Sequence, residues 1–257
     1  MTTDESVRTR GTVFDRDGSL VADYRLGNRS GRPAALDLRL HRLPAELAAP
    51  AILTALPGWV VSTGEETGAV LLAAGGRLFR HLHQYTRDLG PELGDTVWTE
   101  AGIEARPAAA VPPSALYDIW LAAYPPDHPD RAEHPNPQDV DDLYDGRTLG
   151  PLCGFSTVAV DEGRVVAAVL VNDAESLGPW ISEVFRDPDP RYAGLGGRLL
   201  RHALGLAAAD GLPSIGLAVT EGNPARKVYE RLGFRHRASF MQVVLPGGER
   251  GDTMTPK

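Results

Sequence analysis

The sequence predicts an α+β protein built as two unequal halves, and three observations lead there. First, stretches with β-type alternation meet at turn residues, with Asp17-Gly18 inside TVFDRDGSLVADYRL and Asp161-Glu162-Gly163 inside STVAVDEGRVVAAVLVNDA. Second, helical stretches carry start and stop residues: in EGNPARKVYERLGF, Asn223 reads as the N-cap, Pro224 as the first helical position and Gly233 as the residue just past the end. Third, residues 89–113 change texture to GPELGD and ARPAAAVPPS, a Pro, Gly and Ala-rich passage that reads as a connector.

In chain order, the first hairpin is followed by a strand, LDLRLHR. PAELAAPAILTALPGW then has helical spacing at Leu47, Ile52 and Leu56, with Pro57-Gly58 as its stop. WVVST predicts a short strand, TGAVLLAAGG a short helix closed by glycine, and RLFRHLHQYTRDL a long strand. In the second half Ser114 is the expected cap of a helix, SALYDIWLAAY, whose Leu116, Ile119, Trp120 and Ala123 make one apolar stripe. PPDHPDRAEHPNPQDVDDLYDG is too rich in proline and acid to predict a core element. The second hairpin, the strand WISEVF, the helix LLRHALGLAAAD, the strand SIGLAVT, the capped helix and a last strand, HRASFMQVVL, complete the pattern.

The 257 residues, 42% of them hydrophobic, suffice for one large core or two smaller ones. A net charge of −8 without any basic run argues against nucleic acid as a partner, because such affinity rests on clustered Lys and Arg. No stretch reaches the roughly 18 apolar residues of a membrane span, and the start MTTDESVRTRG lacks a signal-peptide core, so a soluble cytoplasmic protein is expected. The single cysteine, Cys153, excludes an internal disulfide and reads as a buried small residue. Abundant Ala and Arg suggest a GC-rich bacterial genome.

The glycines of RYAGLGGRLL stand where a strand hands over to a helix. A dinucleotide fingerprint needs a glycine at 199, which is Leu, and a Walker loop needs Gly-Lys-Ser/Thr, which is absent. What remains is a helix opening at Gly194 and Gly196 with its N–H groups and dipole facing outward, a cradle for pyrophosphate. The run EVFRDPDPRYAGLGGRLL resembles the acetyl-CoA-binding motif of the GNAT N-acetyltransferase superfamily, through Pro188, Arg191, Gly194 and Gly196. LAVTEGNPARKVYERLGF is similar to the family's next strand and helix at Asn223, Ala225, Tyr229, Gly233 and Phe234. The resemblance covers about residues 102–246.

It implies a GNAT fold, a central mixed and mostly antiparallel sheet flanked by helices, and acetyl-CoA as co-substrate with no metal. Backbone groups of Val184, Phe185 and Arg186 would pair with the pantetheine amides. Arg191, Tyr192, Ala193, Gly194, Leu195 and Gly196 would hold the pyrophosphate, and Gly197 would extend the helix start. Asn223 would bond the pantetheine arm, although as an N-cap it has a structural reading of equal weight. Tyr229 is expected as the general acid for the departing thiolate, against the alternative of a core tyrosine. For the base, relatives place a carboxylate where this chain has Trp180 or Ser182; Glu183 is the candidate here, although regular alternation points it to the opposite face. A base from the 125–145 loop or a water relay stands beside it.

That loop carries Asp127, Asp130, Glu133, Asp139, Asp141, Asp142 and Asp145 against Arg131 alone. Its plain reading is a solvated surface; the resemblance places it at the acceptor pocket, where a negative rim favours a cationic amine. His128 and His134 lie in it, and no metal site is assigned. In the first half, AVLLAAGGRLFRHLHQYTRDL matches ARKVYERLGFRHRASFMQVVL in pattern, with Leu71 opposite Tyr229 and no glycines in HRLPAELAAP. Residues 1–90 therefore read as a truncated, non-catalytic GNAT-like α/β half, against a plain α+β appendage. Residues 91–101 are the connector, 102–246 the catalytic domain and 247–257 a flexible tail. The expected reaction is acetyl transfer to a primary amine of a small cationic metabolite or antibiotic-like molecule. Acetylation of a protein N-terminus or lysine, and a non-catalytic CoA-binding sensor or scaffold, are the alternatives, and a homodimer is left open.

Overall fold

The computed structural model describes residues 10–90, 93, 97–132, 135–175 and 177–247. They form two compact units. Unit 1 comprises the chain up to His83 together with the stretch from Ser239 onward, and unit 2 runs from Gln84 to Ala238. The division therefore falls inside two strands rather than in the Pro/Gly-rich passage around residues 91–101, and it assigns the C-terminal strand's second half to unit 1.

Unit 1 contains β1 (Arg10–Phe14), β2 (Leu20–Arg29), β3 (Arg32–Leu40), α1 (Ala45–Ala55), β4 (Val60–Gly64), α2 (Glu65–Ala73), the first part of β5 (Arg77–Asp88) and the last part of β11 (Arg235–Val244). The expected hairpin turn is present, with Gly18 at φ 78°. β3 and β4 pair in parallel through Ala34↔Val60, Ala35↔Val61 and Leu38↔Thr63, with α1 as the crossover. Alternation sorts the sheet: Ala35, Val61 and Val243 pack with Ile52, Leu56 and Leu71 of the helical layer, while Ala34, Val60 and Val244 occupy the other face. The apolar stripe of α1 holds at Ile52 and Leu56 and departs from the expected one at Leu47. Leu47 is 65% exposed, and the buried face is Ala45, Ala48, Ala49 and Ile52, because small side chains let the helix approach the strands closely.

Unit 2 contains the remainder of β5 and β11, with β6 (Ile103–Pro107), α3 (Tyr117–Ala123), α4 (Gln138–Tyr144), β7 (Thr157–Asp161), β8 (Arg164–Ala174), β9 (Gly178–Arg186), α5 (Leu195–Ala209), β10 (Ser214–Thr220) and α6 (Arg226–Arg231). Its strand order is β11-β5-β10-β9-β8-β7-β6. β6 to β9 form an antiparallel meander and β10 joins β9 in parallel, giving a mixed, mostly antiparallel sheet. β8 is covered on both faces, which is why RVVAAVLV reads as an unbroken apolar run: Val165, Ala168 and Leu170 face α3 and α4, whereas Val166, Val169 and Val171 face α5. Each fully buried aliphatic such as Leu170 or Leu199 contributes about 2 kcal/mol.

Four further expectations are corrected here. The passage 89–113 includes a strand, β6, paired with β7. Ser114 caps nothing, since Pro113–Leu116 forms a 3-10 turn and Leu116 precedes α3 without a side-chain cap. The acidic loop contains α4, which buries Val140 and Leu143. Cys153 is half-buried and lines, with Asp173, Pro179 and Asp210, a cavity of about 340 Å³. Burial, then Asp173 and Asp210, push its thiol up to about 11, so it is no nucleophile near neutral pH. Among the described residues no helix is long and apolar enough to cross a membrane.

Candidate active site

The site grows from an irregularity in β9. β9 and β10 are in register only at Trp180↔Gly216 and Ile181↔Leu217. Residues 182–186 continue alone, paired on their β8 side through Glu183↔Leu170 to Arg186↔Ala167. One edge of Val184, Phe185 and Arg186 is thereby left without a β10 partner among the described residues, a slot that accepts an extended amide chain as a neighbouring strand would. The cause is a register shift between Leu170 and Val171, which pair with Glu183 and Ile181 and leave Ser182 as the extra residue. Ile181 and Val184, three apart, consequently pack on the same side against α5. Ser182 and Glu183 share the other side: Ser182 Oγ donates to Leu170 O (3.2 Å) and lies 2.7 Å from Asn172 Oδ1, and Glu183 Oε2 accepts from Tyr124 Oη at 2.6 Å. The expectation of regular alternation fails for this reason. Trp180 lies against Gly216, where an added Cβ would meet the indole at 2.7 Å.

At the end of this edge the chain turns into α5. Gly194 takes φ 76°, a left-handed conformation that costs a non-glycine residue about 1 kcal/mol. No side chain caps the helix, and its first backbone bond is Arg198 N–H to Gly194 O at 3.2 Å. The N–H groups of Leu195, Gly196 and Gly197 are therefore left pointing outward for an anion. The lining is close: a Cβ on Gly196 would stand 4.0 Å from Val184 Cγ1, and one on Gly197 would stand 3.2 Å from Val228 Cγ1. The remaining expected residues divide by role. Arg191 is exposed, its guanidinium 4.6 Å over the Tyr192 ring, and its own N–H is taken by Asp189 Oδ1 at 2.9 Å. Tyr192 is buried and donates to Asp161 Oδ2 at 2.6 Å, so its side chain belongs to the fold. Ala193 is exposed beside Gly194, while the side chains of Phe185 and Leu195 point into the two cores and leave only their backbone for a ligand. Arg186 Nη1 is tied to the carbonyls of Asp187 and Asp189.

Tyr229 sits on the inward face of α6 with Leu232, 8% exposed, its ring edge-on to Phe234 at 6.0 Å. Burial, then the charges of Asp130 and Glu183, hold the phenol above its usual range, so it stays protonated through neutral pH. The same two carboxylates act on Tyr124, whose phenol is also raised, by burial first and Glu183 next. Tyr124, Glu183, Asp130 and Tyr229 are thus one electrostatic cluster. His128 stacks edge-on to Tyr124 at 5.0 Å and accepts the Asp130 N–H at Nδ1. Asn223 is engaged within the protein: Oδ1 accepts from Ala225 N–H at 2.8 Å, just ahead of α6, and Nδ2 donates to Asp130 Oδ2; the cap position of α6 expected at Asn223 is taken by Ala225.

Residues 114–234 match the family model described as acetyltransferase (GNAT) family. Unit 2 carries a GNAT acetyltransferase domain. Solved structures agree in fold. A GCN5-related N-acetyltransferase from Sphaerobacter thermophilus superposes with a TM-score of 0.66 at 17% identity, covering 96% of this chain and 84% of that one. A GCN5-related N-acetyltransferase from Kribbella flavida gives 0.58 at 18% identity, covering 95% and 92%. No curated protein matches the chain.

In the GNAT domain, sequence reasoning missed Tyr124 and Arg198 as parts of the site, and named Asp130 only as one charge of the acidic loop without its partners. Tyr124 stands 59 residues from Glu183 and Asp130 stands 93 from Asn223, so no local spacing announces either pair. Arg198 is one turn into α5, with Nη1 donating to Ala193 O at 3.2 Å and Nε 2.7 Å from Glu100 Oε1, so its guanidinium lies along the glycine loop. A cation placed four residues after Gly194 on an exposed helix face is the signal that was available. Glu133 and His134 of the acidic loop lie outside the described residues.

Proposed function

We propose that the GNAT domain transfers an acetyl group from acetyl-CoA to a primary amine by direct attack in a ternary complex, with a small cationic amine as acceptor. The observation that carries this reading is the parting of β9 from β10 beside the uncapped start of α5, with Glu183 and Tyr229 in one electrostatic cluster at the gap. The residues present fit the co-substrate. The unpaired edge of Val184–Arg186 suits the amides of a pantetheine arm, and the amides of Leu195, Gly196 and Gly197, with Arg191 and Arg198 beside them, suit a pyrophosphate. Acetyl-CoA supplies an activated acyl group as a thioester.

The chain's own groups supply the proton transfers. An amine arrives mostly protonated near pH 7, and Glu183 takes its proton, directly or through a water, before attack. Tyr124 holds the Glu183 carboxylate in one orientation through their 2.6 Å bond. A backbone N–H on the free edge of β9 stabilises the charge that develops on the thioester oxygen. Tyr229, kept protonated by its surroundings, donates to the departing thiolate and recovers the proton from solvent. The carboxylates of Glu183 and Asp130, walled by the rings of Tyr124 and His128, favour a cation at the acceptor end.

Thiol release from acetyl-CoA in the presence of a panel of amines tests the reading. Turnover with small diamines or amino sugars and none with peptides supports it. Turnover only with peptide N-termini or lysines transfers the acceptor to proteins, and tight acetyl-CoA binding with no turnover leaves a sensor.

A further inference from the structure

Asp130 lies in the loop after α3, yet its carboxylate is held by two other elements. Thr220, the last residue of β10, donates through Oγ1 to Asp130 Oδ1, and Asn223, in the turn that leads into α6, donates through Nδ2 to Asp130 Oδ2. The loop is anchored at its root as well. Arg131 Nη1 donates to the carbonyls of Tyr124 and Leu121, and the Asp130 N–H is held by His128 Nδ1. A single carboxylate therefore joins the segment that carries Tyr124 and His128 to the corner from which α6, and with it Tyr229, begins.

We propose that Asp130 is a positioning residue that registers the acceptor-side loop, residues 125–132, against the β10–α6 corner, so that Tyr124–Glu183 on one side and Tyr229 on the other face the same acceptor amine. This rests on the acetyltransferase reading of the site. Three points support it. Hydrogen bonds to a charged group are stronger than neutral ones and lose most when one partner is removed. Asn223 spends its second polar group on the Ala225 N–H, so a shift of Asp130 is transmitted to the start of α6. The acetyl-CoA cradle at Leu195–Gly197 shares none of these bonds, so the two substrates separate in their dependence on Asp130.

The test compares Asp130→Ala, Thr220→Val and Thr220→Ser in the full chain. The first two should raise the acceptor KM roughly tenfold or more, while the acetyl-CoA dissociation constant by calorimetry stays within about twofold. Thr220→Ser, which restores the hydroxyl, should bring the acceptor KM back to native. Independently of turnover, amide exchange should quicken together in residues 125–132 and 223–226 in Asp130→Ala and Thr220→Val, and in neither segment in Thr220→Ser. An acceptor KM unchanged in both Asp130→Ala and Thr220→Val, or quickened exchange confined to the loop, overturns the proposal. A native protein that turns over no amine defeats the enzymatic reading instead, and the exchange measurement still decides the role of Asp130.

Discussion

The two units repeat one local device with different outcomes. In unit 1, α2 ends with Gly75 at φ 98° and a bond from Gly76 N–H to Leu71 O at 2.9 Å; in unit 2, α6 ends with Gly233 at φ 84° and a bond from Phe234 N–H to Tyr229 O at 3.1 Å. Both are glycine-closed helix ends of the same geometry. Leu71 and Tyr229 hold the same place in it. Leu71 is fully buried in an apolar cluster, whereas the buried Tyr229 phenol feels the charges of two carboxylates, Asp130 and Glu183. The crossovers differ in the same direction. β3 and β4 pair at Ala34 and Ala35 and again, past an irregularity, at Leu38, and Pro44 precedes α1; β9 and β10 part after Ile181, and Gly194 precedes α5. We infer that unit 1 is a non-catalytic relative of the GNAT half. The comparison teaches that the slot comes from two strands that part for good beside a glycine, not from the strand–helix–strand pattern or from a bulge alone, since β3 is itself irregular between Ala35 and Leu38 and pairs with β4 again beyond it.

The largest expected effect comes from closing the slot. Gly194→Glu places a side chain and a negative charge at a left-handed position facing the pyrophosphate, and calorimetry should show acetyl-CoA affinity reduced 100-fold or more with a native circular dichroism spectrum. The matching change in unit 1, Pro44→Gly, should create no acetyl-CoA site. Next, Tyr229→Phe should lower kcat about 100-fold with acetyl-CoA affinity kept, since acid catalysis is typically worth that much. Its counterpart Leu71→Ala should cost about 3 kcal/mol in urea unfolding and leave the cradle intact. A smaller effect is expected for Tyr124→Phe, roughly tenfold in kcat, because the Glu183 carboxylate loses one charge-assisted bond but remains. The pH dependence gives the smallest and sharpest check. Raised folded-state values mean that Tyr229 loses its proton only above the usual phenol range near ~10, so kcat should show no falling limb from this group between pH 7 and 10.

The sequence was most informative where the physics is local. Both hairpin turns, the glycine at the head of α5 and Gly233 just past the end of α6 follow from residues within a few positions of one another, and the structure places each accordingly; α6 itself starts later than expected, at Arg226, with Ala225 rather than Asn223 at its cap position. What lay outside its reach depends on partners distant in the chain. The bulge at Ser182 is set by pairing with β8, and it alone turns Glu183 toward Tyr124. α4 was hidden because only Val140 and Leu143 are buried on it, among prolines and acids that read as a loop. Leu47 misled for the opposite reason, since an apolar residue at helical spacing need not face the core when alanines make the closer contact.

Amide hydrogen exchange of the full chain with and without acetyl-CoA tests the central claim most directly. The account predicts added protection at Val184–Arg186 and Leu195–Gly197 and no change at Ala34–Leu38 or Val60–Thr63. Protection that appears equally in β3 and β4, or none at the β9 edge under saturating acetyl-CoA, would contradict it.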